Sequence, residues 1–234
     1  MASNSYTAFN ALVDIIASPA KAYDEVKQHT SWLWWPLLIG MLSAIAIFSY
    51  YYSWVDFPWL VEETIRQMKP EDRAEGGEAI RKFMEPGKTM MFTLIMIVVM
   101  SMLIYTLQAV YYHLANKLTS GSEIGFGQWF SFSVWTGFVG VFGSLSALIV
   151  ILMAESNQIS SQELQLLSVN SLVLHVPAGD PWFTWASSLS LLHFWMIFLA
   201  ALGFSRWTGA SMVKSAVIAA LPFVAIFGIW AFTV

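Results

Sequence analysis

The chain has 234 residues, of which 57% are hydrophobic and 11% charged; an ordinary soluble domain is about 25% charged, so a soluble fold of this size has too little interior for this much apolar surface. Cysteine is absent and the formal net charge is -4, which excludes a disulfide scaffold, a zinc–thiolate or iron–sulfur centre and a thiol nucleophile, and leaves no basic field to attract nucleic acid. What remains is an all-α integral membrane protein.

Residues 1–32 read as an N-terminal amphipathic segment preceding a transmembrane domain over 33–234. They hold no uninterrupted apolar core before a small-residue cleavage site, so the first apolar run is expected to be an uncleaved span. Phe9, Leu12, Val13 and Ile16 follow the i, i+3, i+4, i+7 spacing of one helical face. Ser18 suits an N-cap and Pro19 the first position of a second short helix. An interfacial helix on the inner leaflet and a helix packed beneath the bundle both satisfy this pattern.

The first span, about 33–53, opens at Trp32, Trp34 and Trp35 and closes at Tyr50, Tyr51, Tyr52 and Trp54. Such aromatics mark headgroup depth. Ser31 suits its N-cap. The extramembrane loop 54–88 carries Val61, Ile65 and Met68 on one helical face and Ile80, Phe83 and Met84 on another. It reads as two short helices parted by Lys69-Pro70 and Gly76-Gly77.

The second span, about 89–116, has Thr93, Ser101, Tyr105, Gln108, Tyr112 and Asn116 along one face. Polar groups facing lipid are costly, so this stripe is expected to face other helices or a wet cavity. The third, about 128–153, is rich in small residues, among them Gly137, Gly140, Gly143 and Ser144. Small side chains let helices approach closely; the same residues also suit a groove for a ligand.

Loop 154–182 contains no Lys or Arg. A short helix near 161–167 and an extended piece at 172–176 are expected there. His175 reads as structural, since no second ligand stands at a metal spacing beside it. The fourth span, about 183–204, places Ser187, Ser190 and His193 near one face. The fifth, about 213–233, is interrupted by Pro222, which frees a carbonyl in the preceding turn and predicts a kink.

Continuous apolar runs select helices over a barrel. Five spans place the termini on opposite sides. With the N-terminus inside, segments 1–32, 117–127 and 205–214 carry five Lys or Arg, but loop 54–88 carries six. That loop also holds eight acidic residues and reads as a folded segment rather than a short linker, so the basic-free loop 154–182 carries more weight. A cytoplasmic N-terminus is the expected arrangement.

The intramembrane polar cluster is Tyr105, Gln108, Ser190 and His193. It contains one deep histidine and no carboxylate. General acid–base catalysis and metal hydrolysis both need more, and no nucleophile elbow, Walker loop or paired-histidine motif is present. A Ser190–His193 hydrolase lacks an acid orienter. No catalytic residue, metal or cofactor is assigned. His193 is expected to bond between helices, to Ser190, to the Tyr105/Gln108 stripe or to a carbonyl freed by Pro222. The leading function is a non-enzymatic protein that organises membrane or binds lipid or a protein partner; the alternative is a small-solute or ion channel or transporter using a polar cavity between spans 2, 3 and 4. The expected partners are membrane lipids and a membrane protein or a second copy of the chain, not nucleic acid.

Three segments resemble the bacterial type of the Yip domain family, the Ypt/Rab-interacting membrane proteins: "ASPAKAYDEVKQHTSWLWWPLLIG" at 17–40, "LTSGSEIGFGQWFSFSVWTGFVGVF" at 118–142 and "LLHFWMIFLAALGFSRWTGASMVKSAVIAALPFV" at 191–224. The resemblance implies a five-span helical domain with a cytoplasmic N-terminus. Eukaryotic relatives associate with prenylated small GTPases and with one another. This sequence lacks their long N-terminal region, so a GTPase partner is not carried over. The resemblance brings no catalytic residue.

Overall fold

A computed structural model describes residues 6–68 and 70–234. Eleven α-helices are formed among them: α1 (Ala8–Ala17), α2 (Pro19–Val26), α3 (Trp34–Trp54), α4 (Phe57–Arg66), α5 (Arg73–Phe83), α6 (Pro86–Thr119), α7 (Phe126–Gly137), α8 (Val141–Met153), α9 (Trp182–Ser188), α10 (Leu191–Thr208) and α11 (Met212–Ala231). No strand forms among the described residues; a single antiparallel bridge joins Ser168 to Ser190.

Five segments are long and apolar enough to cross a membrane: Thr30–Trp54, Pro86–Thr119, Phe126–Met153, Leu191–Thr208 and Met212–Ala231. The all-helical, five-helix expectation holds. Backbone groups in hydrocarbon find no water, so each span must satisfy its own hydrogen bonds. The third span tightens into a 3₁₀ turn at Phe138–Gly140 between α7 and α8, at the edge of a glycine-containing stretch of low helix propensity.

The helix predicted over 183–204 is divided. Leu189 adopts an extended backbone and α10 begins at Leu191. The Ser190 hydroxyl accepts from the Leu192 amide at 3.2 Å, as an N-cap does. Backbone bonds pin the break: Val169 N–H donates to Leu189 O at 2.6 Å and Leu191 N–H to Leu167 O at 2.9 Å.

Loop 154–182 also differs from expectation. Residues 161–164 form turns, not a helix. The piece expected to be extended contains a wide π-type turn, Asn170–Leu174, ending at His175 with φ 51°. Asn170 holds it closed: its Oδ1 accepts from Val176 N–H at 2.7 Å and its Nδ2 donates to Val176 O at 3.1 Å.

The chain divides into two compact units. The first comprises Met1–Met41, Met100–Gly140 and His193–Ile226. Its α1 and α2 meet at the Ser18-Pro19 break, with Pro19 opening α2; Ser18 makes no side-chain cap bond. Thr7 and Asn10 cap α1 reciprocally. Ala11, Ile15, Ala22, Tyr23 and Val26 are fully buried, while Phe9 and Val13 are exposed. The unit's core is aromatic, with Trp129 within 5.2–5.4 Å of Phe132, Phe204 and Trp207.

The second unit comprises Leu42–Val99, Val141–Leu192 and Phe227–Val234. Tyr51, Val55, Phe57, Leu60, Ala147, Ile151 and Leu164 form its core. Asp56 caps α4, accepting from Trp59 N–H at 3.2 Å and from Gln158 Nε2 at 2.9 Å. The Gln158 bond, with help from the Trp59 amide, holds the Asp56 carboxyl below its ordinary range. Lys69 lies outside the described residues, and Gly76-Gly77 lies inside α5 rather than breaking it. A Cβ on Gly77 would stand 3.1 Å from Ile65 Cγ2, so the bare backbone lets α5 approach α4.

Candidate functional site

In the first unit, several polar and small residues of the spans lie against other side chains. A Cβ on Gly137 would lie 2.7 Å from Tyr105 Cε1, so the tyrosine ring fills the surface that the glycine leaves bare. A Cβ on Gly140 would stand 3.7 Å from the Met196 methyl, an ordinary contact distance. Tyr112 and Asn116 are buried on the same α6 face, and Gln108 is half-buried. The His193 ring packs on Phe223 with centroids 5.6 Å apart.

Tyr23 ties α2 to this unit. Thr136 Oγ1 donates its proton to Phe132 O at 2.9 Å, so in the 2.7 Å contact between Tyr23 and Thr136 the tyrosine is the donor. Burial pushes the Tyr23 phenol well above its ordinary pKa. Trp207 Nε1 donates to Tyr23 O at 2.8 Å, and Lys27 Nζ to Trp207 O at 2.8 Å. Asp24 and Arg206 make a bidentate ion pair.

Pro222 sits inside α11, which continues from Met212 to Ala231. The carbonyl it leaves without an amide is that of Ile218, four residues before. Tyr111 donates its hydroxyl proton there at 2.7 Å.

In the second unit, the Ser190 hydroxyl donates to Leu167 O at 3.1 Å. A Cβ on Gly143 would stand 3.5 Å from Leu192 Cδ1, and Ser144 accepts from Ser43 Oγ at 3.4 Å. Of the four residues grouped by sequence, Tyr105, Gln108 and His193 therefore belong to the first unit and Ser190 to the second.

The second unit also contains a polar cavity that periodicity did not indicate. Its volume is about 350 Å³, and Trp59, Glu63, Arg66, Glu163, His175 and Phe183 are among its walls, with Asn170 and Ser171. That volume is at the small end of ligand pockets. Glu63 is 6% exposed; it pairs with Arg66 and accepts from Gln67 Nε2 at 2.9 Å. The pairing matters because a buried carboxylate without a partner is costly. Glu163 folds back on its own turn, accepting from Ser160 N–H at 2.6 Å. His175 Nδ1–H donates to Val173 O at 3.0 Å. Among the described residues no group of three or more His, Asp or Glu is placed to hold a metal.

Its contributors stand at 59–66, 163, 170–178 and 183. No local spacing joins them. The one local signal was the isolated His175 beside the turn cluster Pro177–Pro181.

Compared with known families, residues 13–233 match the family described as the Yip1 domain. No curated protein and no solved structure gives a significant match.

Proposed function

The chain belongs to the Yip1 domain family, and from that premise we propose that this integral membrane protein works without catalysis, organising membrane or binding lipid or a protein partner through its helical bundle. One observation carries this reading. The apolar window of α6 has none of its residues buried, and Phe92, Ile95, Val99, Leu103 and Leu107 are all exposed. Lipid covers such a helix, and so does a helix of another protein, because hydrocarbon tails and leucine side chains are equally apolar and packing decides between them.

The proposed setting is a bacterial inner membrane with a cytoplasmic N-terminus. Exposed Phe9 and Val13 suit α1 to lying against the inner leaflet. The Tyr105 ring against bare Gly137 favours helix contact over an open conduit at that point.

The experiment is purification in mild detergent, with mass spectrometry of co-eluting proteins and lipids, beside solute and ion flux measured in liposomes. A specific lipid or protein associate with no flux is the expected result. Robust flux with no specific associate overturns the reading.

A further inference from the structure

In the cavity of the second unit several donors are already engaged, while the carboxylate of Glu163 stays largely open. Asn170 Nδ2 donates to Val176 O at 3.1 Å. The Ser171 hydroxyl donates to Gln165 O at 3.0 Å. His175 Nδ1–H donates to Val173 O at 3.0 Å, and the charge of Arg66, though not all of its five N–H bonds, is taken up by Glu63. Each bond consumes a proton that an anionic or carbonyl-bearing ligand would need.

The acceptor side is different. A carboxylate has about four lone-pair sites, and Glu163 uses one of them for the Ser160 amide. In the neutral imidazole, an Nδ1 that donates leaves Nε2 as an acceptor. The Ser171 oxygen, having given its proton to Gln165 O, accepts from Ser168 Oγ at 3.1 Å and keeps one lone pair. The charge balance agrees. Glu63 and Arg66 cancel, no lysine is in the wall among the described residues, and Glu163 remains as a net negative charge there. Trp59 and Phe183 add aromatic surface, which cations favour.

We infer that this cavity binds a primary alkylammonium group, with Glu163 as its counter-ion, His175 Nε2 and Ser171 Oγ as further acceptors, and Trp59 and Phe183 as the apolar wall. Two sources carry that group: an ethanolamine phospholipid headgroup, and a free small amine. The wall gives three acceptors for the three N–H bonds of a primary ammonium, so trimethylated choline is the discriminating analogue. The assignment is independent of what the bundle binds.

The test uses the full chain. Delipidated protein in detergent is titrated with ethanolamine and with choline, following the thermal midpoint and heat of binding. In parallel, nanodiscs of phosphatidylglycerol with and without phosphatidylethanolamine are analysed by native mass spectrometry for retained lipid. Saturable ethanolamine binding identifies a free amine as sufficient. Retained phosphatidylethanolamine without response to free ethanolamine identifies the headgroup as the source. In either case Glu163→Gln, which keeps an acceptor for the Ser160 amide, weakens binding about tenfold or more, the usual cost of losing a charged partner. Glu155→Gln, an exposed carboxylate outside the cavity, leaves it unchanged. No binding in either arm, equal binding by Glu163→Gln, or choline binding as tightly as ethanolamine each overturns the assignment.

Discussion

The Tyr111 hydroxyl donates to the carbonyl oxygen of Ile218 at 2.7 Å, and Ile218 stands four residues before Pro222, where a helical proline leaves a carbonyl without its amide. The tyrosine thus supplies from α6 the bond that the proline removes from α11. Tyr111→Phe is expected to cost about 1–3 kcal/mol, the penalty for an unsatisfied buried acceptor. Pro222→Ala restores the amide, so the same tyrosine change should cost measurably less in that background. Unfolding of the four proteins in detergent completes the cycle. An equal cost in both backgrounds would break the proposed coupling.

Two glycine substitutions should separate packing from propensity. A Cβ on Gly203 would lie 2.6 Å from Phe132 and 2.7 Å from Tyr23, both rings of the aromatic core. Gly203→Ala is therefore expected to destabilise by about 1–3 kcal/mol, as overpacking does. A Cβ on Gly40 meets nothing within 4 Å, and alanine is the better helix former. Gly40→Ala should hold or raise the thermal midpoint; matching losses at both sites would contradict the packing account.

The Asp56 carboxyl titrates below its ordinary range because its charged form accepts from Gln158 and from the Trp59 amide. A depressed folded pKa means stability that is present above the unfolded value of about 4 and is lost as pH falls through the folded one. Asp56→Ala should lower the thermal midpoint at pH 7, and the gap from the parent should narrow as pH drops below about 4. A gap that stays constant to acid pH would assign the effect to something other than this charge.

Because the chain has no cysteine, single introduced cysteines report topology directly. With the N-terminus inside, Glu155→Cys should react with a membrane-impermeant maleimide in intact cells. Lys117→Cys should react only after permeabilisation. The opposite pattern reverses the proposed orientation.

The legible parts of this molecule are those fixed by local chemistry. Pro19 lacks an amide proton, and the break between α1 and α2 falls where that predicts. Five apolar runs became five candidate spans. Features depending on distant partners were hidden. Leu189 and Ser190 look like the interior of an apolar helix, yet bonds to 167–169 part α9 from α10 there. Gly76-Gly77 looks like a breaker, but the side chains of Met68 and of Ile65 in α4 occupy the space its missing Cβ atoms would take. The proline-freed carbonyl, expected as one of several partners for His193, receives its bond from Tyr111. The cavity around Glu163 is assembled from four separate pieces of chain, and hydropathy records none of that.

The division at Leu189–Ser190 leaves α10 with 18 residues, while α6 has 34. At about 1.5 Å per residue these are rods of about 27 and 51 Å, against a hydrocarbon layer of about 30 Å. One bilayer thickness does not suit both. The membrane thins beside the short rod, or the long one tilts or projects, and each adjustment has an elastic cost that depends on acyl-chain length. The thermal midpoint in nanodiscs should therefore shift as the lipid tails are lengthened, and a midpoint indifferent to tail length would remove mismatch from the account.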